Sequence, residues 1–580
     1  MTGRTIALGL VAFVATRVLL AAACADVFGY GEEFAKGAAA KAMLDGLDLP
    51  HHRLTYVYHE GGGFVVSHLT ALLFLALGPS VLAVKLAALT VSTLVLAAAL
   101  GFVSEHLDRR ALGAVALAFV LAPLGVQRAS LLSLGTHFAA MLFVLLVLRV
   151  ALRIARRARG EPCPASDAWT LGLCSGFGLY VSALLVPAVA VAGVVLVVAR
   201  VGRRVALHAT AAFALGALPL WSMLALVGTD ALRVRSEAGV VRPSPSTAES
   251  LRALFGPIAL SRDLWVWFAA AATVALALVG LARASRALRA VVLGYLALHA
   301  AAFVASGLAV HYYSPDLTAA WLLELRLVPL WLFGVLLAAA GAAHLWGTGG
   351  AAGRLGGAAF LLVLAPGAQS FAALLRDARP DRPFANLRLL ASLRGYSYHE
   401  YFAYFVGHLD GGAAERTQVL LRFDDDPALV VPSVAEHVHL EAWTRAPETL
   451  VRDAREAFGE HADLALLAAG RALHGGWARD FERAFERVRA QPVESHQTLA
   501  EALGRGGVRD RWLAEDLDPQ LAVEVPDHLR AAYLEGVGWR ASQVLRYRPD
   551  LAERWLEGQE PATREALRAG YERGRALDRR

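Results

Sequence analysis

Residues 1 to 372 carry one apolar run after another, each close to 20 residues long. That length crosses a hydrocarbon core of about 30 Å. Residues 373 to 580 are rich in Arg, Glu and Asp and contain no such run. The contrast divides the chain into a polytopic membrane domain, 1–372, and a soluble domain, 373–580. Only 18% of the 580 residues are charged, below the quarter or so usual in soluble proteins, and the deficit lies in the first part. The expected fold is all-α: about eleven transmembrane helices followed by a mostly α-helical C-terminal domain.

The net charge of +6 and pI near 9.3 do not indicate nucleic acid. The basic residues gather at the ends of apolar spans, which is the topology signal of membrane proteins. They are nearly all Arg, with Lys36, Lys41 and Lys85 the only lysines, a bias that a GC-rich bacterial genome accounts for. Cys24, Cys163 and Cys174 form no CxxC pair, so neither a disulfide framework nor a zinc site is expected. The opening MTGRTIALGLVAFVATRVLLAAACA has the basic tip and apolar stretch of a signal peptide. The spans that follow make it read as a retained first helix.

Candidate spans are 5–25, 80–103, 111–127, 133–152, 168–182, 184–200, 205–227, 263–283, 287–309, 322–345 and 354–372. A further apolar run, FVVSHLTALLFLAL at 64–77, is short and carries His68. Arg clusters at 153–159, 200–204 and 283–289 decide its fate. With the N-terminus in the cytoplasm, leaving 64–77 out of the count puts all three clusters inside, as the positive-inside rule demands. The segment is therefore expected to lie along, or dip into, the outer face. The first outer loop (26–79) and the C-terminal domain then share the periplasmic side of a bacterial inner membrane. Two more outer segments stand out: a Pro/Ser-rich stretch at 228–262 and the aromatic VHYYSPDLTAAW at 310–321, suited to an interface.

The first outer loop holds Glu32, Glu33, His51, His52, His59 and Glu60. FAKGAAAKAML within it is expected to form a short interfacial helix, apolar on one face, with Lys36 and Lys41 on another. Such a helix presents a carboxylate at headgroup level. Glu33 or Glu32 could there deprotonate a hydroxyl, or hold a divalent cation such as Mg or Mn, which prefers oxygen ligands. His59 and Glu60 are secondary candidates for substrate contact. His51 and His52, in a polar turn beside Pro50, read as surface residues, and no histidine spacing suits zinc.

Lys85 stands near the outer start of a span, where a cation is costly unless paired and marks function by default; snorkelling is the bland alternative. Arg326, with Glu324 close by, holds the same position on a later span. Arg128 and His137 flank another outer turn. Cations so placed can grip a phosphate, Arg through two parallel bonds and Lys as a point charge.

Together these residues resemble the GT-C superfamily of polytopic glycosyltransferases, which includes protein O-mannosyltransferases and the lipid A aminoarabinose transferase. The resemblance covers 1–372. It rests on the order of features: a span, an acidic pair with a short helix (EEFAKGAAAKAMLDG), then LALGPSVLAVKL with Lys85, then LRLVPLWL with Arg326. Departures are present. Gly31-Glu32 stands where the family has Asp, Gly61–Gly63 replace prolines, and Lys85 replaces an Arg. The resemblance implies transfer of a sugar from a polyprenyl-phosphate donor to a lipid, glycan or protein acceptor on the outer face. Glu33 or Glu32 would be the base, and Lys85 and Arg326 would stabilise the departing phosphate. Two other readings stay open: a catalytically inactive scaffold whose outer domain binds a partner, and a transporter of lipid or polymer. A transporter would be expected to show paired broken helices or an internal repeat, and no convincing repeat occurs among the spans, which counts against that reading.

In the C-terminal domain, L-R-A-x-Y-x-x-G occurs at Leu529–Gly536 and again at Leu567–Gly574, as in helix-pair repeats. RFDDDP at 422–427 lacks EF-hand spacing and reads as an Asp-rich turn. TQVLLRFDDDPALVV at 417–431 has strand character. No P-loop, dinucleotide fingerprint or nucleophile triad occurs in the chain.

Overall fold

A computed structural model describes residues 2–23, 31–44, 61–133, 135–158, 163–227, 264–305, 317–377, 413, 417, 427–474, 481–506, 521, 523–545 and 549–578. Every regular element among them is helical. The chain forms two compact units. One is Met1–Phe28, Leu49–Leu73 and Val84–Ala385; the other is Gly29–Asp48, Phe74–Ala83 and Asn386–Arg580. The segment 26–79, expected to form the first outer loop, is thus divided, with Gly29–Asp48 and Phe74–Ala83 grouped with the second unit.

Among the described residues a helix or helix pair falls within each of the eleven apolar segments. They are α1 (Thr2–Ala23), α4 (Val81–His106), the pair α5 (Leu112–Val120) and α6 (Leu124–Ala129), α7 (His137–Arg157), α8 (Ala165–Val181), α9 (Val186–Val198), the pair α10 (Arg203–Gly216) and α11 (Leu218–Val227), α12 (Leu264–Arg283), α13 (Arg286–Ala305), α14 (Leu317–Thr348) and α15 (Gly350–Asp377). Between the first two lie α2 (Gly31–Leu44) and α3 (Gly62–Leu77). Among the described residues five helices are long and apolar enough to cross a membrane by themselves, and α10 with α11, bent by 53°, makes a sixth candidate. The chain is therefore a membrane protein by its helices. Val197 on α9, Leu207 on α10, Phe268 on α12 and Leu361 on α15 are exposed, as lipid-facing side chains are.

Inside the first unit small residues let helices touch. A Cβ on Gly172 or Gly176 of α8 would strike the backbone of α10, and one on Gly280 or Gly341 would strike its partner across the α12–α14 contact. Helices in lipid associate by such close packing because the hydrophobic effect does not drive them together there.

The triple glycine has a comparable reason. The N–H of Gly61 donates to the Tyr180 carbonyl at 3.0 Å. A Cβ on Gly62 would overlap the backbone of Gly135, which itself has φ +76°. The start of α3 can therefore dock on the turn before α7 and on the end of α8 only if these positions lack side chains. At 16 residues, α3 is about 24 Å long, short of a full crossing.

The second unit holds α2 and the C-terminal helices. These run α16 (Pro427–Val434), a π turn over Ala435–His439, α17 (Leu440–Arg445), α18 (Leu450–Phe458), α19 (Ala462–Leu466), α20 (Gly470–Leu473), α21 (Phe481–Arg489), α22 (His496–Gly506), α23 (Asp527–Val544), α24 (Pro549–Glu557) and α25 (Pro561–Asp578). Residues 427–431, expected to favour a strand, are helical. In the rest of RFDDDP, 422–426 lies outside the described residues.

The 38-residue echo has a structural meaning. α22, α23 and α25 pack side by side. Leu529 and Tyr533 on α23, and Leu567 and Tyr571 on α25, are buried. Gly504 meets α23, and across the α23–α25 contact Gly538 meets the backbone of Leu567 and Gly570 that of Glu535, where any Cβ would collide. The motif is thus one helix face, repeated. α22 carries a looser copy, with Leu499 and Leu503 buried.

Candidate functional site

The polar interior of the membrane unit begins with a proline. In a continuous helix the carbonyl of Phe119 would accept from the N–H of residue 123, but residue 123 is Pro and has none. The helix breaks at Leu121 (φ −101°, ψ 41°) and resumes at Leu124 as α6. The freed carbonyls are claimed by Arg17 of α1. Its Nη2 donates to the Phe119 carbonyl at 2.7 Å and its Nη1 to that of Val120 at 3.1 Å. Its Nε donates to Ser130 Oγ at 2.7 Å, and the guanidinium lies 4.6 Å from the centre of the Phe13 ring. A helix C-terminus is the negative end of its dipole, so the cation suits the break.

The network extends through α6. Ser130 Oγ donates to the Gln127 carbonyl at 2.7 Å. Gln127 Nε2 donates to the carbonyls of Ala122 at 2.6 Å and Gly367 at 3.1 Å, joining the α5–α6 break to α15 just beyond its internal Pro366. Ser92 Oγ of α4 donates to the Ser130 carbonyl at 2.8 Å. Arg17 is 0% exposed, and no carboxylate pairs with it among the described residues.

Lys85 lies seven residues before Ser92 on α4, hence on the same helix face, and is 3% exposed. Arg128 is half-buried on α6, and His137 is half-buried at the first residue of α7. Arg17 and Ser92 thus meet at Ser130, just after α6, which carries Arg128, while Lys85 lies two turns before Ser92 on α4 and His137 opens α7. Arg326 lies on α14, and of its position nothing finer than the helix is described.

Glu33 is placed on α2, in the second unit, and is 0% exposed. Lys36, one turn on, is buried beside Ala39 and Ala40. This corrects the expectation of an apolar face opposed to Lys36 and Lys41. The buried side of α2 itself carries charge: Glu33, Lys36 and Ala40 follow the i, i+3, i+7 spacing of one helix face, and all three are buried. Lys41 is half-buried. Glu32 occupies the first turn of the same helix. His59 and Glu60, with His51 and His52, lie outside the described residues. Among the described residues no group of three or more His, Cys, Asp or Glu side chains converges as a metal site.

Arg17 was missed in the sequence, although its signal was there: one Arg inside an otherwise apolar span, ATRVLL. An intramembrane cation marks function or a strut by default. A second polar cluster, at the other end of α4 and α7, was also unforeseen. Arg153 donates to both oxygens of Glu105, at 2.8 and 2.9 Å, and to Asp167 of α8 at 3.1 Å. Arg149 pairs with Glu105, and Arg157 with Asp167 at 2.7 Å.

No family model, curated protein or solved structure matches the chain.

Proposed function

We propose that the chain is a membrane glycosyltransferase of GT-C type, with about eleven spans, that moves a sugar from a polyprenyl-phosphate donor to an acceptor on the outer face. The observation that carries this reading is the burial of Glu33 and Lys85, two ionisable groups at the places where the resemblance puts the acid and the first cation. Charged side chains are seldom withdrawn from water without a structural or chemical reason. The order of elements supports it too: a span, a helix opening with the acidic pair, a short helix, then a span bearing Lys85 near its start.

In the proposed reaction Glu33 takes the proton of the acceptor hydroxyl. The resulting oxygen attacks the anomeric carbon, and the bond from that carbon to the phosphate oxygen breaks. Lys85 and Arg326 stabilise the negative charge growing on the leaving phosphate. Glu32 is the alternative base, and His59, Glu60, Arg128 and His137 are candidate substrate contacts. A divalent cation, if required, would take carboxylate oxygens such as those of Glu32 or Glu33. The test is sugar transfer in membranes supplied with polyprenyl-phosphate sugars. Glu33→Gln should lower turnover about 10²- to 10⁴-fold at normal expression.

A second reading, a transporter of lipid or polymer, is favoured by one feature: the interrupted helices. Breaks at Leu121–Pro123 and between α10 and α11 are the kind that line transport sites. Movement of a labelled lipid across reconstituted vesicles, without any transfer of sugar, would favour it over the enzyme. Neither activity would leave the partner-binding scaffold, for which the stacked C-terminal helices offer a surface.

A further inference from the structure

The cluster at the far end of α4 and α7 contains more positive charge than it uses. Arg149, Arg153, Arg156 and Arg157 face two carboxylates, Glu105 and Asp167. Arg149 and Arg153 share Glu105, and Arg153 and Arg157 share Asp167. Arg156 has neither. Its one described partner is a histidine: Arg156 Nη2 donates to His106 Nδ1 at 2.9 Å. The other ring nitrogen, Nε2, lies 3.1 Å from the Arg149 carbonyl.

These two contacts fix the tautomer. A carbonyl can only accept, so Nε2 carries the proton, and Nδ1 is left as an acceptor for the arginine. His106 is therefore neutral and contributes no charge, yet it orients the guanidinium. Arg156 is exposed, stands in the last turn of a candidate span, and lies beside the ion pairs that join α4, α7 and α8. Among the described residues no carboxylate pairs with this exposed guanidinium, and the end of a membrane span is where headgroup phosphates are met, so the group suits a phosphate.

We propose that Arg156, positioned by His106, binds the phosphate of an anionic membrane phospholipid. The site lies at the opposite end of α4 from Lys85, so it is separate from the proposed sugar-transfer site and does not rest on that reading. Arg156 is the binding residue and His106 the positioning one.

The test is thermal unfolding of the full chain in phosphatidylcholine mixed micelles, titrated with phosphatidylglycerol. The native chain should show a saturable rise in Tm, since a ligand that binds only the folded state stabilises it by mass action. Arg156→Gln should weaken the apparent affinity about tenfold, the scale of one charge-assisted hydrogen bond. Arg204→Gln, a change at another exposed arginine, should leave the response intact. Arg156→Lys keeps the charge and serves if the glutamine variant does not fold; it should retain a weakened response. An equal response in Arg156→Gln, or an equal loss in Arg204→Gln, would overturn the proposal. So would a matching rise produced by inorganic phosphate alone at the same concentration, which would mean that the site reads a free anion and not a lipid.

Discussion

Arg17 shows how one residue decides what a broken helix can be. Pro123 removes the donor that Phe119 needs, and a buried carbonyl without a partner costs about 1–3 kcal/mol. Arg17 serves two such carbonyls and Ser130 from one planar group. Arg17→Met should therefore destabilise the membrane unit by about 2–4 kcal/mol, the summed penalty of groups left unmet. Arg17→Lys, a point charge unable to fork, should recover only part of this. Reversible unfolding in detergent measures both; unchanged stability in Arg17→Met would mean that the break is satisfied some other way. At the same scale, Gly62→Ala should be strongly unfavourable, because a Cβ there meets the Gly135 backbone, which is not a side chain that can swing aside. These contacts explain why part of the site was illegible in the sequence. The cost of placing Lys85 in a span was readable from its neighbours. The burial of Glu33 and Lys36 was not, since it depends on what packs over α2, and no periodicity encodes that.

At the scale of elements, the apolar runs predicted the helices well because span length is a physical requirement of the bilayer. Among the described residues a helix falls within each of the eleven segments, and five or six of these helices are long and apolar enough to span. What the runs did not reveal was where a helix is interrupted. Pro123 sits inside a run that stays apolar on both sides, so hydropathy passes over it. The Val-rich segment 427–431 misled in the opposite direction. Its β-branched residues favour strands only weakly, and in an all-helical unit they pack as α16, where Val431 and Val434 are buried. The repeated L-R-A-x-Y-x-x-G was legible and now has a mechanism, because its leucine and tyrosine form the buried face of adjacent helices. Gly570→Val should accordingly push α23 and α25 apart. Limited proteolysis of the full chain should then cut the C-terminal unit well before the membrane unit; native-like resistance would contradict the close contact. The ion pairs joining α4, α7 and α8 are partly exposed, so Arg153→Gln should cost only about 1 kcal/mol, and less at high salt.

For the whole molecule, the eleven-span topology proposed above would put residues 200–204 in the cytoplasm and residues 373–580 outside. Single cysteines introduced at Gly202 and Gly558, in a chain whose native cysteines are replaced, should react with an impermeant maleimide from opposite sides of sealed vesicles. Labelling of both from the same side would require a different number of crossings. The proposed function, however, is chemical: sugar transfer from a lipid phosphate that depends on Glu33 and on Lys85. The most direct measurement compares transfer by native, Glu33→Gln and Lys85→Gln chains in membranes supplied with a panel of polyprenyl-phosphate sugars. The account predicts transfer by the native chain and a loss of 10²-fold or more, as an order of magnitude, in Glu33→Gln, with Lys85→Gln weakened as well. Transfer that survives Glu33→Gln at full rate, or no transfer from any donor by the native chain, would contradict it.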